Sequence, residues 1–198
     1  MCRNLFRRKR RVALFFGSFN PIHNGHLAIL RYLCLESSAD EVRIVVSPES
    51  PFKAGNSLTA DERLENVRKV IAASGLEVTV SDVEFHLEPP LYTINTLRHL
   101  QKSEPDCTHI MVIGGDNLAS LERWKCGPEI LEEFPVWVYP RPGYDSEALL
   151  RELKGRYKLR GVKILSNAKL YDISSTMIRE GEAKGLDMSG YKPSGGTE

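Results

Sequence analysis

Gly17-Ser18-Phe19-Asn20-Pro21-Ile22-His23-Asn24-Gly25-His26 is the stretch on which the reading of this chain turns. It follows the apolar run Val12-Ala13-Leu14-Phe15-Phe16 and precedes Leu27-Ala28-Ile29-Leu30-Arg31-Tyr32-Leu33. The first run is continuous, as in a strand buried on both faces, and the second repeats its apolar positions at helical spacing. The stretch between them is therefore a strand-to-helix turn. Its glycines let backbone come close to a ligand. The helix that opens there presents free N–H groups and the positive end of its dipole. His23 and His26 stand three residues apart across that junction, close enough to address one group. These features suggest a site that binds phosphate and also works upon it. The alternatives are zinc binding and a structural cap. Zinc wants a third protein ligand, and no other His or Cys is near in sequence. The turn matches neither G-x-G-x-x-G nor G-x-x-x-x-G-K-S/T.

Outward from this turn the same alternation repeats. Val42–Val46 reads as a second strand, and 47–57 as a long Pro/Ser/Gly loop. Thr59 with Glu62 three residues on has the spacing of a capping box, and Gly75 closes that helix. Glu77–Ser81, His109–Ile113, Val136–Tyr139 and Val162–Leu165 are further strands, with helical stretches between them. The pattern predicts an α/β chain, a Rossmann-like, doubly wound and mostly parallel sheet of about six strands with right-handed crossovers. Ligands then bind beyond the carboxyl ends of the strands, where the polar turns 17–26, 47–57 and 114–117 gather.

The 198 residues carry 27 basic and 26 acidic side chains. Arg3, Arg7, Arg8, Lys9, Arg10 and Arg11 hold six of the basic ones, leaving 21 against 26 and a net of −5 over the rest. The reading is a solvated basic arm at 1–10, a single domain at 11–185 and a flexible Gly-rich tail at 186–198. Nucleic-acid or anionic-lipid contact is the other reading of the arm, but nothing aromatic or repetitive accompanies its charges, so neither nucleic acid nor membrane is expected as a partner. No apolar run approaches the roughly 20 residues that span a bilayer. Cys2, Cys34, Cys107 and Cys126 form no C-x-x-C pair, which suits a reducing, cytoplasmic setting. The sequence leaves the oligomeric state open.

A second turn completes the pattern. Ser174-Ser175-Thr176 puts three hydroxyls at a helix start, with Arg179 one turn on. Hydroxyls, a helix N-terminus and an arginine together suit a polyphosphate tail. A plain N-cap needs only one such residue.

His23-Asn24-Gly25-His26 and Ile173-Ser174-Ser175-Thr176-Met177-Ile178-Arg179 match, in order, the H-x-G-H and I-S-S-T-x-x-R motifs of the nucleotidyltransferase superfamily. With Gly17–His23, Tyr92–Leu97, Ile113–Leu118 followed by Trp124, and Arg141–Gly143, the chain resembles the bacterial nicotinate-nucleotide adenylyltransferases over about residues 11–182. The resemblance implies adenylyl transfer from ATP to nicotinate mononucleotide, giving deamido-NAD and pyrophosphate in NAD biosynthesis. It implies direct in-line attack, with Mg²⁺ bound through the ATP phosphates and no protein metal site. By position, His23 and His26 are the catalytic pair. Gly17, Ser18, Phe19, Gly115, Ser174, Ser175 and Arg179 join them around ATP. Lys53, Thr93, Asp116 and Trp124 attend the mononucleotide, with Trp124 stacking on the nicotinate ring. The chain departs from the family at Phe52, where His usually precedes the loop lysine, at Leu91, where Ser is common, and in its Gly-rich C-terminus. Two alternatives stay open at this point: another acceptor (nicotinamide mononucleotide or phosphopantetheine), and a nucleotide-binding regulator without catalysis.

Overall fold

The computed structural model of the protein describes residues 8–49, 58–169 and 171–193. Among these, six strands form one sheet in the order β3-β2-β1-β4-β5-β6, with every pair parallel. The strands are β1 (Arg10–Gly17), β2 (Glu41–Val46), β3 (Val78–Ser81), β4 (Cys107–Gly114), β5 (Val136–Tyr139) and β6 (Val162–Ile164). The helices between and after them are α1 (Asn24–Glu36), α2 (Ala60–Ser74), α3 (Thr93–Ser103), α4 (Gly115–Ser120), α5 (Gly127–Glu133), α6 (Ser146–Arg156) and α7 (Ser175–Ala183). This is the doubly wound order, and its strand sequence reverses direction between β1 and β4.

The period-two alternation of side chains sorts the core into two layers. Ala13 and Phe15 of β1, with Ile44, Ile110 and Val112, face Leu30 and Leu33 of α1 and Leu64, Val67 and Val70 of α2. Val12 and Leu14, with Met111, Val136 and Val138, face Ile94 and Leu97 of α3, Ile130 of α5 and Leu153 of α6. A sheet covered on both faces opens only at its ends. At the carboxyl ends, Gly17 lies in register with Val46, and Gly114 with Tyr139. The turns that follow these strands form the rim of the switch point.

Of the expected arm and tail, residues 1–7 and 194–198 lie outside the described residues, and the parts that are described make contacts with the domain. Arg10 is already in β1, Arg8 pairs with Asp40 at 2.6 Å, and Lys9 donates to the Pro105 carbonyl at 2.7 Å. Residues 186–193, expected as part of a flexible tail, fold back. Met188 packs over Gly181, a 3-10 turn covers Ser189–Tyr191, and Asn24 Nδ2 donates to the Gly190 carbonyl at 3.1 Å. The small residues of this segment let its carbonyls approach α1, which composition alone does not reveal. No helix among the described residues is long and apolar enough to cross a membrane.

Candidate active site

β1 delivers the chain to the rim at Gly17, whose carbonyl accepts from Ser47 N at 2.8 Å. Phe19 then takes a left-handed backbone conformation, φ 46°, and turns its ring back over Gly17. A Cβ at Gly17 would stand 2.9 Å from the Phe19 ring, so only glycine fits there without movement. The Phe19 ring packs edge-on against His26 and Phe15, at 5.0 and 5.7 Å between centroids. It forms a wall behind His26, so Phe19 can meet a phosphate only through its backbone.

His23 is the N-cap of α1 and His26 its third residue, and the two close a reciprocal capping box. His23 Nδ1 accepts from His26 N at 3.3 Å, and His26 Nδ1 accepts from His23 N at 3.2 Å. The rings stack at 3.6 Å and 19°. A Cβ at Gly25 would reach within 3.0 Å of His23 Nδ1, which explains the glycine between them. An Nδ1 that accepts carries no proton, so these hydrogen bonds assign both rings as Nε2–H tautomers. Burial, and then the Arg141 guanidinium, pushes the His23 imidazolium down to about 4. Burial, then His23, then Arg141 holds His26 well below the ordinary histidine range. At neutral pH the site thus presents two uncharged imidazoles, each with one N–H left to give. The sequence reading set phosphate contact and a structural cap as alternatives; here the cap is made through Nδ1, and Nε2 is left for a ligand.

The rings line a cleft of about 210 Å³ between the turns. Thr93, Asp116, Trp124, Ser174 and Ser175 line the same cleft, each placed at the start of α3, α4 or α7 or just after the 3-10 turn Leu121–Arg123. Thr93 and Trp124 also border an adjoining hollow of about 180 Å³ with Leu91, Tyr92 and Lys125. Ser174 caps α7, its Oγ accepting from Met177 N at 3.1 Å. Ser175 Oγ donates to the Pro21 carbonyl at 2.9 Å, and Arg179 donates to the Asn20 carbonyl at 2.5 Å. The second motif is therefore stitched to the first. Gly17, Ser18, Phe19, Gly115 and Arg179 are not among the residues that line the cleft. Gly115 instead lies under α6, where a Cβ would come within 2.7 Å of Ser146 Oγ. Lys53 and Phe52 fall outside the described residues.

Arg141, just after β5, also lines the cleft, and the sequence reading gave it no role. It lies 3.7 Å from Asp116 Oδ1 and donates to the Ile173 carbonyl at 3.3 Å. Its signal was available: an arginine in a Pro/Gly turn directly after a buried strand. Asp116 Oδ1 is buried with no hydrogen-bond partner. The neighbouring Tyr139 hydroxyl is pushed up to about 12 by burial, so it stays protonated. The one cluster of three potential metal ligands among the described residues, Glu104, Cys107 and His109, sits at the opposite end of β4. Both Glu104 oxygens there already bond Arg43, at 2.7 and 2.9 Å.

Comparison with known proteins gives a concordant result. Residues 14–181 match the family model described as Cytidylyltransferase-like. The chain is 39% identical over 181 residues to a Bacteroides fragilis protein named "Probable nicotinate-nucleotide adenylyltransferase", covering 91% of this chain and 86% of that one. It is 40% identical over 170 residues to a protein of the same name from Cytophaga hutchinsonii, covering 85% and 84%. Its fold superposes on the Plasmodium falciparum nicotinic acid mononucleotide adenylyltransferase complexed with NaAD, with a TM-score of 0.75 at 18% identity over 91% of this chain and 88% of the other.

Proposed function

The chain belongs to the cytidylyltransferase-like family, and from that premise we propose that it is a nicotinate-nucleotide adenylyltransferase of NAD biosynthesis. A phosphate oxygen of nicotinate mononucleotide attacks the α-phosphorus of ATP in line. The new P–O bond forms as the bond to the bridging oxygen breaks, and pyrophosphate leaves with that electron pair. Deamido-NAD is the other product. No side chain becomes covalently attached, so catalysis consists of positioning and charge stabilisation.

The observation that carries this reading is the reciprocal cap of His23 and His26. It aims two fixed, neutral N–H donors from a helix N-terminus at the place where phosphoryl charge builds up. Preorganised donors of this kind cost no reorganisation during the reaction. Ser174, Ser175 and Arg179, at the start of α7, hold the β and γ phosphates. The backbone of Gly17, Ser18, Phe19 and Gly115 shapes the rim, and Lys53 reaches phosphate from the second loop. Thr93 and Trp124 receive the nicotinate ring, and Asp116 sits where the two nucleotides meet. Asp116 is the one carboxylate among the described residues lining the cleft. A single carboxylate, its buried Oδ1 without a hydrogen bond and 3.7 Å from Arg141, fits a Mg²⁺ that travels on the polyphosphate and keeps most of its waters. When bound, that ion would neutralise charge on the leaving pyrophosphate. Cys34, Cys107 and Cys126 are unpaired, which supports a cytoplasmic setting.

The test is turnover of the purified full chain with ATP, Mg²⁺ and nicotinate mononucleotide. Deamido-NAD and pyrophosphate are expected in equal amounts. Absence of both overturns the reading, and faster turnover on nicotinamide mononucleotide or phosphopantetheine changes the acceptor.

A further inference from the structure

Arg63, on α2, is a charged residue in the wrong place for a surface helix: it is 2% exposed. One of its terminal nitrogens donates to the carbonyls of Ser18 and Ser47, at 2.5 and 2.8 Å. The other donates to the Pro48 carbonyl at 2.8 Å. Its Nε is buried without a partner, and among the described residues no carboxylate pairs with it. A buried guanidinium held only by carbonyls is costly, because no counter-charge offsets its desolvation. An apolar side chain of the same length would fill the space but leave the three carbonyls without this donor.

The three carbonyls belong to the first and second turns of the rim. A trans peptide puts its C=O and N–H on opposite edges. Drawing the Ser18 carbonyl toward α2 therefore turns the Phe19 N–H to the far side, and drawing the Pro48 carbonyl does the same for the Glu49 N–H. The Ser47 carbonyl precedes Pro48, which has no N–H, so that contact serves only to anchor. Ser47 is gripped a second time from the other side. Its backbone N–H donates to Gly17 O at 2.8 Å, and its side chain hydrogen-bonds to the Glu84 carboxylate. Glu84 is 3% exposed and also accepts from Thr96 Oγ1 at 2.8 Å. Thr96 lies one turn along α3 from Thr93. One serine thus ties Arg63, the glycine turn and the helix that carries Thr93.

We propose that Arg63 is a positioning residue for the reaction. From beneath the site it locks the first two turns together, with peptide N–H edges facing the nucleotide phosphates, and it places an unneutralised positive charge under them. This rests on the adenylyl-transfer reading of the same cleft.

The experiment compares the full chain with Arg63→Met and Arg63→Lys, at a temperature well below the melting point of each. Turnover with ATP, Mg²⁺ and nicotinate mononucleotide is measured, together with calorimetric binding of a non-hydrolysable ATP analogue. In Arg63→Met, kcat is expected to fall about 100-fold, the loss that a small misplacement of reacting groups produces, with the mononucleotide KM nearly unchanged. Analogue affinity is expected to fall about 10-fold, as for loss of a charge-assisted contact. Arg63→Lys keeps the charge but not the fork, so it should recover about a tenth of the lost kcat and most of the analogue affinity. Wild-type kcat and analogue affinity in Arg63→Met overturn the proposal. So does a kcat loss that Arg63→Lys does not recover at all. If Arg63→Met fails to fold, Arg63→Lys decides: unchanged kcat and affinity overturn the proposal. A wild-type protein without turnover defeats the reaction reading instead, and analogue binding still tests whether Arg63 sets the turns for phosphate.

Discussion

α1 and α2 begin with the same device and use it for opposite ends. In α2, Thr59 Oγ1 accepts from Glu62 N at 3.2 Å while Thr59 N donates to Glu62 Oε2 at 2.8 Å. In α1, His23 and His26 make the same two exchanges through their Nδ1 atoms. The α2 cap is anionic, and with Asp61 beside Glu62 it satisfies the helix dipole internally. The α1 cap is uncharged, and its first turn carries no acidic residue. Its orphan N–H groups are partly satisfied, its positive end is not, and each ring keeps one donor. The contrast extends further. Of the other helices whose opening residues line the cleft, α3 and α7 carry no acidic residue in the first turn, while α4 carries Asp116; the first turns of α5 and α6, away from the cleft, are acidic. The start of α2 contains its own anion; those of α1, α3 and α7 leave that place vacant, and under the proposed function a phosphate takes it.

Converting one cap into the other is the strongest way to break this comparison. His26→Glu gives α1 the α2 pattern, with an N3 carboxylate reaching back to the N-cap N–H. The fold should persist, with a melting temperature within about 3 °C of wild type, because Glu is favoured at N3. Turnover should fall by at least about 10⁴-fold, since a donor becomes an anion facing an anion. Retained turnover would show that the charge of the cap is irrelevant. His26→Ala removes the donor without adding charge and should cost less, about 10²- to 10³-fold in kcat with little change in mononucleotide KM. Steady-state kinetics on the two variants measures both effects, and Ala falling as far as Glu would remove the electrostatic half of the comparison.

The fold and the two turns that meet at the cleft were legible in the sequence because their signals are local. A continuous apolar run, a glycine turn and a helical stripe specify strand, turn and helix without knowledge of distant residues. The Thr59/Glu62 cap was legible for the same reason. What escaped the reading depends on which way a side chain points. Phe19 stands in the phosphate turn by sequence, yet its ring packs inward on Gly17 and His26. Arg63 stands between Glu62 and Leu64 and drew no reading, although it shares the stripe 63, 67, 70 and 71 with Val67, Val70 and Ile71, which are buried. Arg141 was visible as part of a turn, but its closeness to His23 and Asp116 comes from the pairing of β4 with β5. The ordering of 186–193 depends on carbonyls meeting Asn24, more than 160 residues away in the chain.

The neutrality of the α1 cap has a consequence in pH. His23 is held at about 4 in the fold against 6.5 when unconstrained. Between those values the unfolded chain binds a proton that the folded one refuses. The contribution of His23 to stability is therefore fully present above about pH 6.5 and is lost as pH falls toward 4. Proton NMR titration should find no ring of this pair with a midpoint near 6.5. In His23→Asn the cap remains, because Asn is a favoured N-cap, but the titrating group is gone. Its melting temperature should decline less steeply than wild type from pH 6.5 to 4.5, and equal slopes would place the neutral pair in error.

The smallest effect belongs to α2, and it sharpens the comparison by what it leaves alone. Thr59→Ala removes the Oγ1 that accepts from Glu62 N and that also donates to Glu62 Oε2 at 2.8 Å. Loss of such a cap costs about 1 kcal/mol, or roughly 2–4 °C in melting temperature for a chain of this size. Bonds from the Thr59 backbone and then from its hydroxyl hold the Glu62 carboxyl below its ordinary value. Its share of stability is therefore present at neutral pH and disappears as pH falls through the carboxylate range, so the Thr59→Ala difference should shrink in acid. At neutral pH kcat should not change, because the α2 cap meets no substrate. A change in kcat beyond about twofold, with so small a loss of stability, would mean that the start of α2 reports to the site, and among the described residues Arg63, one residue beyond Glu62, offers a route.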